Sequence, residues 1–217
     1  MDIIQFLSFS VIEWLALIIL TFAMFKFPLK GYWGQILLTS AVMAFFSYFV
    51  FQIIDRHFAT FLQPPILFLF FWQMFRIHIF YAGLMTVYGY LGYLFIQYFI
   101  LLTMIMFGFP LENFYPNEIP AYILQIVTIV LVIIIARNLY KSRIGFSFVP
   151  DYEYAPFAVK GINLKLFMLT ILGYACLSFT SFVSFSSLHV TFMFMLFVCV
   201  VLVMLLYYAL RKELSDD

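Results

Sequence analysis

Charged side chains are the scarcest feature of this sequence: Asp, Glu, Lys and Arg supply only 10% of its 217 residues. A soluble domain carries about 25% and uses them to cover its core, so a water-soluble globular fold is excluded. Cysteine is nearly absent. Cys176 and Cys199 lie in apolar runs without CxxC or Cys/His spacing, which excludes a thiolate metal centre and reports no redox compartment. Chemical motifs are missing as well. No HExxH, GxSxG, P-loop, EExxR or Asp-rich prenyl-site pattern occurs, so intramembrane proteolysis and phospho-transfer lack their minimum parts. No catalytic residue, cofactor or metal is therefore assigned, and the chain is not expected to be an enzyme. A net charge of +1 gives no footprint for nucleic acid.

What is present is apolar. Hydrophobic residues make up 66% of the chain and its mean hydropathy is +1.10, which places all of residues 1–217 in one transmembrane helical domain. A spanning helix needs about 20 apolar residues to cross roughly 30 Å of hydrocarbon. Spans are expected at about 3–25, 34–54, 58–75, 79–108, 120–136, 163–183 and 189–210. Asn117 is a candidate N-cap for the fifth, with Pro120 in its first turn. The first span resembles a signal peptide in length only. Its leading segment has Asp2, no basic residue and no small-x-small cleavage site, so it is read as retained.

Charge sorting decides the count. The loops around Lys30 and from Arg137 to Lys165 are basic, whereas Phe109–Ile119 holds Glu112 and Glu118 without Lys or Arg. The positive-inside rule puts the first two in the cytoplasm and the third outside. Two spans must then lie between His57 and Gly108, with Arg76 at their inner turn and Pro64-Pro65 in the upper part of the third. The expectation is an all-α polytopic bundle of seven helices in the cell membrane, N-terminus outside and C-terminus cytoplasmic. Ten of the eleven Lys and Arg are then cytoplasmic, Arg56 being the exception. The loop from Asn138 to Gly161 is the one sizeable extramembrane piece, and its aromatic run Gly145–Pro150 is expected at the interface.

Glu13 is the sharpest candidate for chemistry. It falls mid-span, where an ionised carboxylate costs at least a few kcal/mol. Either it contacts an ion, proton or ligand inside the bundle, or it is a carboxyl hydrogen-bonded to a neighbouring helix. Arg76 and His78 are candidate switch or helix-end residues. They could snorkel to lipid phosphates, or His78 could titrate near neutral pH. Asp55 and Arg56, beside His57, form either a helix end or part of a ligand mouth, and His189 is interfacial. Tyr81, Tyr88, Tyr90, Tyr93 and Tyr98 crowd the fourth span. They serve packing and the aromatic belt, or line a cavity for an apolar or peptide ligand with Tyr81 and Tyr88 as contacts.

Several segments together carry a resemblance. Ile4-Gln5-Phe6 leads through Glu13 to Phe22-Ala23-Met24-Phe25-Lys26-Phe27-Pro28. Arg76-Ile77-His78-Ile79-Phe80-Tyr81-Ala82 precedes Gly89-Tyr90 and Gln97. Gly145-Phe146-Ser147-Phe148-Val149-Pro150 follows the fifth span, and the last helix exits through Arg211-Lys212-Glu213-Leu214. The pattern resembles the membrane sensor domain of Gram-positive peptide-sensing histidine kinases of the GHKL type. The sequence reaches Asp217 without a dimerisation helix, phospho-acceptor His or ATP-binding domain. The resemblance thus implies a receptor-like sensor lacking the kinase portion. It would bind a small peptide or lipid-like signal and act through a histidine kinase or other signalling membrane protein, with Arg211 at the output end and homodimerisation open. The rival expectation is a small transporter or the substrate-binding subunit of a membrane importer, in which Glu13 contacts substrate or coupling ion.

Overall fold

The computed structural model describes residues 3–54, 58–110, 119–150, 160–183 and 188–216. Seven helices follow in chain order: α1 (Ile3–Met24), α2 (Trp33–Phe49), α3 (Ala59–Leu69), α4 (Ile79–Met106), α5 (Ile119–Ser142), α6 (Ile162–Val183) and α7 (Leu188–Asp216). The described residues contain no strand. Without water in the bilayer core, a helix satisfies its backbone groups internally, which is why apolar runs of this length fold this way. Six helices are long and apolar enough to cross a membrane. The protein is an all-α, multi-pass membrane bundle.

α2 and α3 each end in a single π-helical turn, Val50–Ile54 and Phe70–Met74. The third helical run therefore occupies residues 59–74 and is shorter than the other six. Pro64 and Pro65 lie inside α3. The turn expected at Arg76 follows it, and α4 begins three residues later. Two expected boundaries move. α5 runs six residues past Ala136 to Ser142, and α7 continues past Leu210 to Asp216. Charged residues stopped the hydropathy reading at both places. Neither Arg137 nor Lys212 interrupts backbone hydrogen bonding, so the helices continue beyond the apolar run. The loop expected from Asn138 consequently starts at Arg143. Asp55, Arg56, His57, the acidic loop with Glu112 and Glu118, and Asn117 lie outside the described residues.

α1 and α4 form the centre. α1 packs against α2, α4 and α5, while α4 meets α1, α3, α5, α6 and α7. α1 is apolar on nearly every side from Ala16 to Ala23, with Ala16, Ile18 and Phe22 fully buried, as expected of a helix enclosed by others. Gly89 permits the α1–α4 approach: a Cβ there would overlap Thr21 Oγ1.

One end of the bundle gathers the basic residues and most of the interlocking contacts. Lys26, Arg76 and Arg143, which close α1, the third helical run and α5, all adopt left-handed backbone conformations, with φ of 48°, 55° and 53°. The following amides reach back across the helix ends: Phe27 N donates to Phe22 O at 2.9 Å, Ile77 N to Phe71 O at 3.1 Å and Ile144 N to Leu139 O at 3.1 Å. Glycine usually occupies such a cap; a cation accepts the mild strain and sits well against the negative end of the helix dipole. Beneath these caps lies an aromatic cluster in which Phe22 packs on Phe27 and Phe75, and Phe25 on Tyr88 and Phe146, with ring centroids 4.9–5.7 Å apart.

The run Gly145–Pro150 turns part of itself into the bundle, leaving Ser147 exposed. Phe146 and Val149 are buried, and Phe146 N donates to Met24 O at 2.8 Å. A Cβ on Gly145 would stand 2.7 Å from Met24 O and 2.9 Å from Ala23 O, so only glycine lets this strap lie on the end of α1. Phe146 packs against Phe25, Tyr88 and Phe148, with ring centroids 5.6–6.1 Å apart.

Candidate functional site

Glu13 is the eleventh residue of the 22 in α1, about 15 Å along the helix axis from Ile3. A polar group at that depth has to find partners on other helices. It has two. Tyr93 of α4 donates its hydroxyl to Glu13 Oε1 at 3.0 Å, and Gln125 of α5 donates its amide to Oε2 at 2.6 Å. The carboxyl group thus ties three helices together, and its side chain is only partly buried.

A second polar knot adjoins it. Trp14 Nε1 donates to Ser47 Oγ of α2 at 3.0 Å, Gln63 Nε2 of α3 donates to the same oxygen at 3.0 Å, and Ser47 Oγ donates to Met43 O at 2.8 Å. The Trp14 ring meets Tyr90 edge-on with centroids 5.6 Å apart. Tyr90 and Tyr93 are three residues apart and share a face of α4. The two knots together draw polar side chains from α1 to α5 into one region of the membrane interior. Tyr90 is 5% exposed and its hydroxyl has no hydrogen-bond partner among the described residues.

No family model, no curated protein and no solved structure matches the chain.

The other candidates from the sequence lie elsewhere. Tyr81 precedes Tyr93 by twelve residues on α4, about 18 Å along the axis, and belongs to the basic end. His78 caps α4, its Nδ1 accepting from Phe80 N at 3.3 Å, while Arg76 is exposed at the preceding turn. Glu13, Arg76 and His78 therefore share no cavity. Tyr88 lies between the two levels and donates its hydroxyl to Leu205 O of α7. Asp55 and Arg56 are outside the described residues.

At the C-terminal end of α7 Arg211 is exposed, and its neighbours carry the contacts. Lys212, 5% exposed, donates to Tyr81 Oη and to Asn163 Oδ1 of α6, both at 2.8 Å. Its ammonium stands 4.6 Å from the Tyr81 ring centre and 4.9 Å from that of Phe148, within cation–π range. Glu213 accepts from Ser147 N at 2.7 Å, from Ser147 Oγ, and from Phe148 N at 3.3 Å, with Lys26 Nζ 3.8 Å away. The end of α7 is thereby latched to α1, α4, α6 and the strap.

Sequence reasoning singled out Glu13 but missed Gln63, Gln125, Trp14, Ser47, Lys212 and Glu213 as functional candidates. The rule that exposed Glu13, a polar group well inside an apolar span, applies equally to Gln63 and Gln125 and would have found both. Lys212 had no such signal, because a cation at the end of the last span reads as an ordinary helix exit.

A lateral cavity of about 270 Å³ opens between α3, α4 and α6, lined by Pro64, Pro65, Phe68, Gly83, Val87 and Tyr174 among others. Thr86 and Thr170 in its wall donate to Ala82 O and Leu166 O of their own helices, and Tyr174 donates to Phe61 O. The lining is consequently suited to hydrocarbon.

Proposed function

We propose that the protein is a receptor-like sensor of the cell membrane that takes a small peptide or lipid-like signal within its bundle and acts through a partner protein. The observation that carries this reading is the placement of contacts along α4. One helix holds Tyr93 against Glu13, supplies Gly83 and Val87 to the lateral cavity, and touches α7 through Tyr88 and Tyr81. A ligand that displaces α4 at either upper site is mechanically connected to the Lys212–Glu213 latch. Packed helices respond by small discrete shifts rather than continuous bending, and the ligand shifts the population by its differential affinity for the two arrangements.

In this reading the basic end faces the cytoplasm, since ten of the eleven Lys and Arg lie in segments assigned to that side. Arg211 and the rest of the α7 terminus then present the output to a histidine kinase or another signalling membrane protein. The resemblance to peptide-sensing kinase sensor domains supports the same assignment. The test is extraction from native membrane in mild detergent, with bound proteins and small molecules identified by mass spectrometry for the wild type and for Glu213→Ala. A signalling protein retained by the wild type and lost from the variant is the expected result. Transport ATPase subunits, or a vitamin-like ligand without a signalling partner, would overturn it in favour of an importer subunit.

A further inference from the structure

We propose that the cluster around Glu13 binds a primary ammonium group. This names the ligand chemistry of the site that the receptor reading uses, and rests on that reading only for what binding achieves. Each Glu13 oxygen accepts one bond from the protein, from Tyr93 and from Gln125, and a carboxylate oxygen has room for a second. The Tyr90 hydroxyl, buried and without a partner among the described residues, adds a third acceptor on the same face of α4 as Tyr93. Three free acceptor positions match the three donors of an –NH3+ group.

Two further observations favour a cation. The ring of Trp14, the residue after Glu13, meets that of Tyr90 edge-on with centroids 5.6 Å apart, and aromatic rings attract cations most strongly where water is excluded. Among the described residues the sole ion pair is Lys26–Glu213 at the far end of α1, so no described cation neutralises Glu13. An ammonium beside Glu13 would form an ion pair that is neutral overall, where a carboxylate alone is costly within the membrane. No group of three His, Cys, Asp or Glu capable of holding a metal occurs among the described residues. Glu13 is not sealed off, since its side chain is only partly buried. The ammonium could belong to a water-soluble amine, such as a peptide N-terminus, or to a membrane amphiphile; the chemistry at Glu13 is shared.

The experiment uses the full chain in nanodiscs with Trp33→Phe and Trp72→Phe, which leaves Trp14 as the lone tryptophan, excited selectively beyond the tyrosine band. Butylammonium, decylammonium and tetramethylammonium chlorides are titrated at constant ionic strength. A saturable change with butylammonium points to an aqueous source, and one with decylammonium alone to a membrane source; both support the proposal. Glu13→Gln should weaken that binding about tenfold or more, the scale of a charge-assisted bond, and Tyr90→Phe severalfold. Should Glu13→Gln fail to fold, Tyr90→Phe carries the test. Tetramethylammonium donates no hydrogen bond, so an equal response to it would overturn the proposal, as would no saturable response or full affinity in Tyr90→Phe. The assay needs no protein partner, so its failure is separable from failure of the receptor reading.

Discussion

Glu213→Gln is the sharpest probe of the latch, because it keeps side-chain shape while removing charge. Glu213 anchors the strap through two backbone amides and the Ser147 hydroxyl, and faces Lys26 at 3.8 Å. Hydrogen bonds to an ionised acceptor contribute about 1.5–3 kcal/mol each when well sheltered. Ser147 is exposed, so the set as a whole is placed at roughly 1–3 kcal/mol after solvent competition. The Lys26 pair adds less. Its lysine is 38% exposed, and such pairs contribute about 0–1 kcal/mol. The amide bonds therefore dominate. Since 1.4 kcal/mol is a factor of ten, strap opening should increase between about fivefold and a hundredfold in Glu213→Gln, and less than about fivefold in Lys26→Met. Hydrogen exchange of the peptide covering residues 144–150, read by mass spectrometry in nanodiscs, measures both. Equal or larger deprotection in Lys26→Met would refute the reasoning, as would unchanged exchange in Glu213→Gln.

Gly89→Ala should destabilise the bundle by about 1–3 kcal/mol, since Thr21 is fully buried and tied to Leu17 O, leaving the new methyl nowhere to go. Adding Thr21→Ala should recover part of that loss in detergent thermal melts; strict additivity of the two substitutions would contradict the α1–α4 contact. Ser47→Ala orphans the donors of both Trp14 and Gln63, and should cost about 1–3 kcal/mol; a smaller effect than that of Thr103→Ala, whose hydroxyl bonds only its own helix in an exposed place, would count against the second polar knot. For orientation, Lys30→Cys and Arg143→Cys should both react with an impermeant thiol reagent from the cytoplasmic side alone; labelling from outside would invert the proposed topology.

The helical architecture was legible because lipid imposes its requirements on every span. Long apolar runs had to be helices, and the charge on their connections sufficed to divide residues 57–108 at Arg76. Helix ends were harder to read. The apolar run stops where the hydrocarbon stops, but α5 and α7 continue until their backbone is capped, at Ser142 and Asp216. The site was visible in part. Glu13 stood out by its cost in the membrane, whereas Tyr93 could not be distinguished from four other tyrosines on the same span. Which one reaches Glu13 depends on the rotation of α4 about its axis, and hydropathy does not encode that. The burial of Phe146 was hidden for a similar reason: an aromatic run after a basic helix end does not say which ring turns inward until Gly145 is seen lying on Met24.

The third helical run contains eleven α-helical and five π-helical residues, at most about 24 Å of rise against roughly 30 Å of hydrocarbon. Beside it α4 extends for 28 residues. In the proposed seven-span arrangement the bilayer beside α3 would have to thin to meet it, at a cost that grows with each ångström of mismatch. Such thinning would lie along the wall containing the lateral cavity. Bilayer thickness would then be a mechanical input to the bundle: short-chain lipids would relax this wall, and long-chain lipids would load it.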